Sequence, residues 1–251
     1  MPTEPMPALP QTCCPTVWLW PGQALYSGPG LDLQPHSGSV WCLAFGVDGP
    51  LTVTIQGNAI VARTVLIPPR LTHHLAMQGG LVSCYLDPGS PRTVSCHQQF
   101  TEFRHGIGVG HAAETRLAAA PVDDEAARRW LDLAAPDTPH QIDPRIELVA
   151  KQIRDNPAES ISAGEFATAA GLSESRFLHL FRREAGTSLR RYRMWSRLIA
   201  AGTAVAAGEN LTAAAADSGF ASPSHLADSF KTTFGLSATQ LLATGLRIRT
   251  P

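Results

Sequence analysis

Seven arginines lie between positions 176 and 197, a stretch in which Glu184 is the single acidic residue. A guanidinium group binds a phosphate, or the edge of a guanine base, through two parallel hydrogen bonds. Charge of one sign on neighbouring helices is typical of a surface that contacts a nucleic-acid backbone. The alternative is a solvated helix face, which the turn and capping signals around the cluster argue against. We therefore expect a phosphate-contacting surface here.

Three histidines in the N-terminal half, His36, His73 and His74, are the candidates for ligand binding. A protein iron, manganese or zinc site of the kind found on facing strands combines two or three histidines with a carboxylate. No glutamate occurs between Glu4 and Glu102, so we predict no metal, no cofactor and no catalytic residue. The histidines remain candidates for binding the carboxylate of a small-molecule effector, although we favour a pair of surface-loop histidines.

The five cysteines are odd in number and scattered, at Cys13, Cys14, Cys42, Cys84 and Cys96. This is not the pattern of a disulfide framework, and it fits a reducing cytosol. The adjacent pair Cys13-Cys14 is either a soft-metal or redox sensor or incidental, and the sequence leaves both open.

An internal repeat surrounds the arginine cluster. The stretch Gly171–Gly186 returns as Gly219–Gly235, with an offset of 49 positions from Ser173 onward and a turn one residue longer in the second copy. The pairs that match are Phe177 with Leu226, Phe181 with Phe230, Arg182 with Lys231, Gly186 with Gly235 and Ser188 with Ser237. Two copies are too few for a solenoid, so we predict two similar helical modules.

Each copy carries the signals of a helix-turn-helix. In the first, Ser162 and Glu165 form a capping box for a helix over Ala163–Ala170, and Ser173 caps a second helix that Gly186 ends. In the second copy, we expect Thr212 to cap Ala213–Ser218, and Ser222 with Pro223 to begin the next helix. A long helix, Leu189–Ala207, joins the two modules.

These residues resemble the DNA-binding domain of the AraC/XylS family of transcriptional regulators over about Ile142 to Arg249. The block GFASPSHLADSFKTTFG carries most of that resemblance. It implies that two helix-turn-helix units enter successive major grooves of double-stranded DNA, with recognition helices Glu174–Ala185 and Pro223–Phe234. Three departures from the family pattern are Leu178, Asp228 and Ala238, and Asp228 predicts a weaker or unusually selective second module.

The resemblance assigns two sets of DNA contacts. We expect base edges to be read by Ser175, Arg176, His179, Ser224, His225 and Asp228. We expect phosphates to be bound by Arg182, Arg183, Arg190, Arg191, Arg193 and Lys231.

The sequence of the N-terminal half predicts β structure. Short runs rich in β-branched and aromatic residues, at Ser39–Val47, Leu51–Gln56, Ala59–Ile67 and Gly80–Leu86, are separated by turn residues, which predicts a sandwich or barrel. Strand rhythm and the PPRLTHHL segment resemble the cupin-like jelly roll of many AraC-family proteins. Two helices are predicted to follow, over Ala112–Ala120 and Val122–Ala135, and either pair two protomers or pack against the barrel.

The predicted fold class is therefore α+β in two domains. We expect a cupin-like β sensor domain at 1–110, a helical dimerisation or packing segment at 111–135, a linker at 136–144 and the DNA-binding domain at 145–251. The formal charge is −1 overall, divided into +3 over 143–251 (13 Lys+Arg, 10 Asp+Glu) and −4 over 1–142 (7 and 11).

We predict a sequence-specific DNA-binding regulator controlled by an effector in the N-terminal barrel. The N-terminus lacks secretory-signal features and no apolar run of membrane-spanning length occurs, which predicts a cytoplasmic protein with no membrane partner. RNA polymerase is expected as a partner if the protein is an activator, and a homodimer remains open. The alternatives are a cupin-type metalloenzyme with a helical appendage, and an interaction module that has lost DNA reading.

Overall fold

The N-terminal half of the chain is built mainly from β-strands. The computed structural model describes residues 14–31, 33–139 and 142–251, so Cys13 and the proline-rich start before it lie outside the described residues. The strands are β1 (Thr16–Trp20), β2 (Gln23–Pro29), β3 (Trp41–Gly46), β4 (Leu51–Ile55), β5 (Asn58–Ala62), β6 (Thr64–Ile67), β7 (His74–Ala76), β8 (Gly80–Leu86), β9 (Phe100–Arg104), β10 (Ile107–His111) and β11 (Arg247–Arg249).

Ten of these strands come from the N-terminal half, and they form two sheets. The larger has the order β11-β1-β2-β8-β3-β6-β10-β9, and the smaller has the order β5-β4-β7. The predicted single strand Ala59–Ile67 is in fact two, β5 and β6, which belong to different sheets. The chain changes sheet at Arg63, whose guanidinium donates to the carbonyls of Gly46 and Val47.

The larger sheet is apolar on both faces, because successive side chains point to opposite sides and its strands carry apolar residues at consecutive positions. Trp18 and Trp20 of β1 lie on one face, where they pack with Leu43 and Val82. Tyr26 and Leu81 lie on the other face, where they pack against Leu51, Val53 and Leu75 of the smaller sheet. Both sheets therefore bury their facing sides, as a two-layer β structure requires.

Helices cover the first face. These are α1 (Pro91–Gln98), a 3-10 turn (Arg116–Ala118) and α2 (Asp124–Ala134). Asp123 caps α2, and Trp130 and Leu131 pack against the sheet while Val122 stays exposed. The helix expected over Ala112–Ala120 is only the 3-10 turn, because the preceding segment pairs as strand β10 with β6 and β9.

The C-terminal half is helical. Its helices are α3 (Pro144–Asp155), α4 (Ala163–Ala169), α5 (Glu174–Ala185), α6 (Leu189–Ala206), α7 (Leu211–Asp217), α8 (Pro223–Phe234) and α9 (Ala238–Ala243). The capping box of Ser162 with Glu165 is present. The cap of α7 is Asn210, whose side chain accepts from the amides of Thr212 and Ala213. The prediction that Thr212 caps this helix is wrong, because the Thr212 amide already lies inside the first turn.

The two halves interlock. After α9 the chain returns to the N-terminal half, where β11 pairs in parallel with β1. Trp195 of α6 is buried against Leu19 and Ala24, and its indole N–H donates to the Gly22 carbonyl over 2.7 Å. Asp87, at the end of β8, accepts hydrogen bonds from Arg154 and Tyr192 of the C-terminal half.

The predicted α+β class, a β-rich N-terminal region followed by a helical C-terminal domain, is confirmed. Within the described part of the chain, no helix has both the length and the apolar character needed to cross a bilayer.

Candidate nucleic-acid interface

The face of α5 that points away from the core is polar and basic. Ser173 caps the helix by accepting from the Arg176 amide, and Gly186 ends it in the left-handed conformation. Phe177, Leu180 and Phe181 are buried at helical spacing. The exposed side chains include the five predicted DNA contacts Ser175, Arg176, His179, Arg182 and Arg183. This face of α5 is therefore exposed to solvent.

Helix α8 repeats the arrangement with fewer charges. Ser222 caps it, Pro223 occupies its first turn, and Leu226 is buried. The exposed predicted contacts are Ser224, Asp228 and Lys231. His225 is half-buried: its ring lies edge-on to Phe220 at 5.4 Å, and its Nδ1 accepts weakly from the Ala221 amide at 3.4 Å. That contact leaves Nε2 as the ring atom free to meet a ligand.

The arginines of α6 fall into two environments. Arg190 is exposed, and Arg191 is half-buried with one guanidinium nitrogen donating to the Gly38 carbonyl over 3.2 Å. Arg193 faces elsewhere, with its guanidinium 5.2 Å from the centre of the Phe166 ring. Two of its nitrogens are buried without a hydrogen-bond partner. Burial, followed by the nearby Arg197, lowers the pKa of Arg193.

A polar groove of about 610 Å³ lies where α5, α6 and α8 approach the N-terminal half. Its lining residues from the C-terminal half include Arg182, Arg190, Arg191, His225 and Asp228, and those from the N-terminal half are Ser37, Ser39 and Arg70. We call this the arginine groove. Burial, then the charges of Arg70 and Arg190, lowers the pKa of Arg191. The groove therefore concentrates positive charge between the two predicted recognition helices.

The three candidate histidines are not surface-loop residues as a group, because two of them are buried. His36 and His73 are buried, joined by a backbone bridge, with ring centroids 4.4 Å apart. Each ring Nδ1 lies 2.9 Å from a backbone carbonyl two residues earlier in the chain. Burial lowers the pKa of both, to about 4 for His73. His74 is only half-buried.

An apolar cavity of about 120 Å³ lies between the two halves, and sequence reasoning did not locate it. Its walls come from β1, β2 and β8 on one side and from α6, α8, α9 and β11 on the other. Residues on these walls include Leu19, Tyr26, Ser83, Tyr85, Trp195, Ile199, Phe234 and Ile248. None of His36, His73 and His74 lines it. A signal in the sequence that could have indicated it is the apolar side of α6, on which Trp195, Leu198 and Ile199 recur at helical spacing.

Among the residues that the structure describes, no three His, Cys, Asp or Glu side chains lie close enough together to hold a metal ion. Cys42, Cys84 and Cys96 are buried, and burial raises the pKa of each thiol. A thiol that stays protonated is a poor nucleophile and a poor metal ligand.

Comparison with known proteins agrees with this geometry. Residues 166–244 match the family model of a helix-turn-helix domain. The fold is similar to ToxT from Vibrio cholerae: an apo variant from strain SCE256 has a TM-score of 0.58 and 9% identity, over 89% of this chain and 97% of that chain. ToxT from the same strain with a bound unsaturated fatty acid gives a TM-score of 0.51 and 10% identity, over 88% and 94%.

No curated protein sequence matches the chain significantly. The family match covers the helices α5 to α8 that carry the internal repeat, the same residues on which the AraC/XylS resemblance rests. Residues 166–244 thus form an AraC-type helix-turn-helix domain, and the chain is a DNA-binding transcriptional regulator that carries this domain behind an N-terminal β domain.

Proposed function

We propose that α5 and α8 are recognition helices that read base edges in successive major grooves. Ser175, Arg176 and His179 read one groove, and Ser224, His225 and Asp228 read the next, about one helical turn away. The phosphate contacts come from Arg182, Arg183, Arg190, Arg191 and Lys231. Arg193 is the weakest of the predicted phosphate contacts because its guanidinium lies over Phe166.

The observation that carries this proposal is the arginine groove. Arg182, Arg190 and Arg191 line it together, and within the described residues none of them forms an ion pair with a carboxylate. Like charges held close together repel one another, and a bound anion relieves that repulsion. An anion with several regularly spaced charges can neutralise all three arginines and therefore binds most favourably. The backbone that runs between two neighbouring major grooves is such an anion.

Selection of bound duplexes from a random DNA pool, followed by a salt titration on the enriched sequence, tests the proposal. We expect two conserved blocks with centres about 10 base pairs apart. A single block would mean that the Asp228 module does not read sequence. Weak, salt-insensitive binding with no enrichment would exclude sequence-specific recognition and return attention to the N-terminal half, where elemental analysis would test the metalloenzyme alternative.

We also propose that the N-terminal half is a cupin-like jelly-roll sensor and that its effector occupies the interdomain cavity. The cavity walls are almost entirely apolar, and such pockets suit small organic ligands. Its 120 Å³ is comparable to the engineered cavity of about 150 Å³ that accepts benzene. Both halves contribute walls, so a ligand there touches sensor strands and α8 at once. The ToxT structure with a bound unsaturated fatty acid supports an apolar effector.

A substitution that fills the cavity can show whether the effector binds there or at the histidines. Ala24 is buried on a cavity wall, so Ala24→Leu places extra carbons in the cavity, whereas Ala59→Leu on the exposed side of β5 is the matched control. We expect Ala24→Leu to abolish the rise in melting temperature that small apolar compounds produce, and Ala59→Leu to retain it. A compound that stabilises both variants equally would place the effector elsewhere, with His36, His73 and His74 as the remaining candidates.

The proposed domain limits are a sensor at 1–110, a helical segment at 111–135, a linker at 136–144 and the DNA-binding domain at 145–251, the last of which adds β11 to the sensor sheet. Trp130 and Leu131 are packed on the sheet, which supports packing as the main role of the helical segment. RNA polymerase stays the predicted partner of an activator, and a homodimer stays open. We place the protein in the cytoplasm because its proposed ligand is chromosomal DNA.

A further inference from the structure

Arg70 lies in the N-terminal half, yet it borders the same groove as Arg182, Arg190 and Arg191 of the DNA-binding domain. We propose that Arg70 binds a phosphate of the DNA backbone, so that the N-terminal half takes a direct part in DNA binding. This inference rests on the proposed DNA-binding function and adds a contact from outside the helix-turn-helix domain.

The backbone at Arg70 has a positive φ, which places it in the left-handed region that favours glycine. Three non-glycine residues among those described have positive φ: Gln56 (48°), Arg70 (72°) and His105 (49°). Gln56 and His105 each precede a glycine, also at positive φ, in a two-residue hairpin loop, where a type I′ turn demands it. Arg70 instead lies in a turn between β6 and β7, directly after Pro69, and a proline followed by a residue with positive φ is typical of a type II turn.

A left-handed non-glycine residue costs on the order of 1 kcal/mol and persists only where its surroundings hold it. Here the Arg70 amide donates to the Gly38 carbonyl over 3.0 Å, after the rigid pair Pro68-Pro69. The same Gly38 carbonyl accepts from Arg191. One backbone carbonyl therefore joins the Arg70 backbone to an arginine of α6, and Arg70 borders the groove.

The charges that result repel one another in the absence of a ligand. Arg70 and Arg190 both lower the pKa of Arg191, after burial. Within the described residues Arg70 has no carboxylate within ion-pair distance, and Asp228 is the acidic residue on the groove wall. Ser37, Ser39 and Ser188, each of which carries a hydroxyl group, line the same groove. Arginine and hydroxyl donors converging on one space fit phosphate oxygens.

The test uses Arg70→Gly in the full-length chain. Glycine accepts a φ of 72° without strain, so this variant removes the guanidinium and leaves folding at least as favourable as in the parent. Arg70→Lys keeps the charge, and Arg104→Ala removes an exposed arginine on β9 that pairs with Glu102, outside the groove. Binding of the selected duplex is measured between 50 and 200 mM salt.

Each phosphate contact contributes about 0.9 to the slope of log K against log salt. We expect the slope for Arg70→Gly to be about 0.9 shallower. Between 50 and 200 mM salt, the parent should therefore lose about 3-fold to 4-fold more affinity than Arg70→Gly does. Arg70→Lys and Arg104→Ala should keep the parent slope. An unchanged slope in Arg70→Gly, while Arg182→Ala flattens it, would overturn this inference and leave the DNA-binding function standing.

A free anion is the other source of the same chemistry. If millimolar inorganic phosphate raises the melting temperature of the parent but not of Arg70→Gly, and the duplex slope is unchanged, the groove is a small-anion site and the DNA assignment is wrong. If the parent shows no salt-dependent duplex binding at all, both this inference and the proposed function fail.

Discussion

Arg182 lies near the end of α5 with its side chain exposed, on the wall of the arginine groove. A phosphate contact carries no sequence information, so its loss should weaken binding to all duplexes by a similar factor. We predict that Arg182→Ala weakens specific and mismatched sites alike and makes the salt slope about 0.9 shallower. Fluorescence anisotropy at several salt concentrations measures this, and a parent-like slope would exclude Arg182 as a phosphate contact.

His179, one turn earlier on the same exposed face, is predicted to touch a base edge instead. A good direct base contact discriminates by about 1–3 kcal/mol at its own position. We predict that His179→Ala loses base preference at one position of the selected site and keeps the parent salt slope. Repeating the duplex selection with this variant is the measurement. Equal weakening at every position would show that His179 does not read sequence.

The buried histidine pair predicts acid sensitivity. His73 is neutral in the folded chain, since burial and then His36 and His74 lower its pKa from 6.5 to about 4, while the Leu71 carbonyl opposes the change. The unfolded chain binds the proton more readily, so stability is full above pH 6.5 and falls as the pH drops toward 4. The loss attributable to His73 is on the order of 3 kcal/mol, at about 1.4 kcal/mol per pKa unit.

We expect His73→Asn, whose amide can replace the Nδ1 donor, to flatten this part of the pH profile. Urea unfolding at pH 7 and at pH 4.5 measures the difference. Burial also lowers the pKa of His36 and so favours its neutral form in the folded chain. The double variant with His36→Asn should therefore flatten the profile further. A profile as steep as that of the parent in both variants would assign the acid sensitivity to other groups.

The end of α8 is an element whose geometry depends on the other half of the molecule. Gly235 has a φ of 77°, and a Cβ added there would lie 2.5 Å from the Gln34 carbonyl oxygen and 2.7 Å from His36 Nδ1. Gly208, after α6, has a φ of 98°, yet a Cβ there would meet nothing within 4 Å. The two glycines share the backbone requirement and differ in the contact.

We predict that Gly208→Ala lowers the free energy of unfolding by about 1 kcal/mol, the backbone strain alone. Gly235→Ala should lower it by about 2–4 kcal/mol, because overpacking against a backbone carbonyl adds about 1–3 kcal/mol. Urea denaturation of both variants provides the comparison. Equal losses would mean that the contact of α8 with residues 34–36 does not stabilise the folded chain.

At the scale of the whole molecule, Asp87 joins the two halves. Its carboxylate is buried and accepts from Arg154 at 3.0 Å, from the Tyr192 hydroxyl at 3.0 Å and from the Gly89 amide at 2.8 Å. Burial raises the pKa of Asp87, and the Arg154 guanidinium opposes that rise. The ion pair lies between the end of β8 and helix α3, so it stabilises one relative placement of the sensor and the DNA-binding domain.

Arg154→Met removes the counter-charge and leaves a buried carboxylate, a change that typically destabilises by about 3–5 kcal/mol. We expect the loss at pH 7 to shrink as the pH falls, because protonation of Asp87 removes the buried charge. The double variant Arg154→Met with Asp87→Asn should recover part of the loss at pH 7. Urea denaturation across this pH range is the measurement, and a pH-independent loss would exclude an uncompensated Asp87 carboxylate as its cause.

Much of the DNA-binding half was predictable because its determinants are local. Helix α5 begins after Ser173 and ends before Gly186, as predicted, since a cap and a left-handed glycine act within one turn. Helix α8 likewise occupies the predicted residues Pro223–Phe234. The cap of α7 was misplaced by two residues because Asn and Thr are both strong N-caps and the sequence offers both.

The sequence by itself determined the helix pairs, their exposed polar faces, the β character of the first half and the AraC-type helix-turn-helix domain. Each follows from periodicity, capping and turn residues, which act over a few positions. Only the tertiary structure decided that Arg193 turns toward Phe166, that His36 and His73 are buried together, and that Arg70 reaches the groove of α6. It also decided that β11 joins the sensor sheet and that an apolar cavity lies between the halves. These features depend on contacts between residues far apart in the chain, such as Gly38 with Arg191 and Gly22 with Trp195, for which no local signal exists.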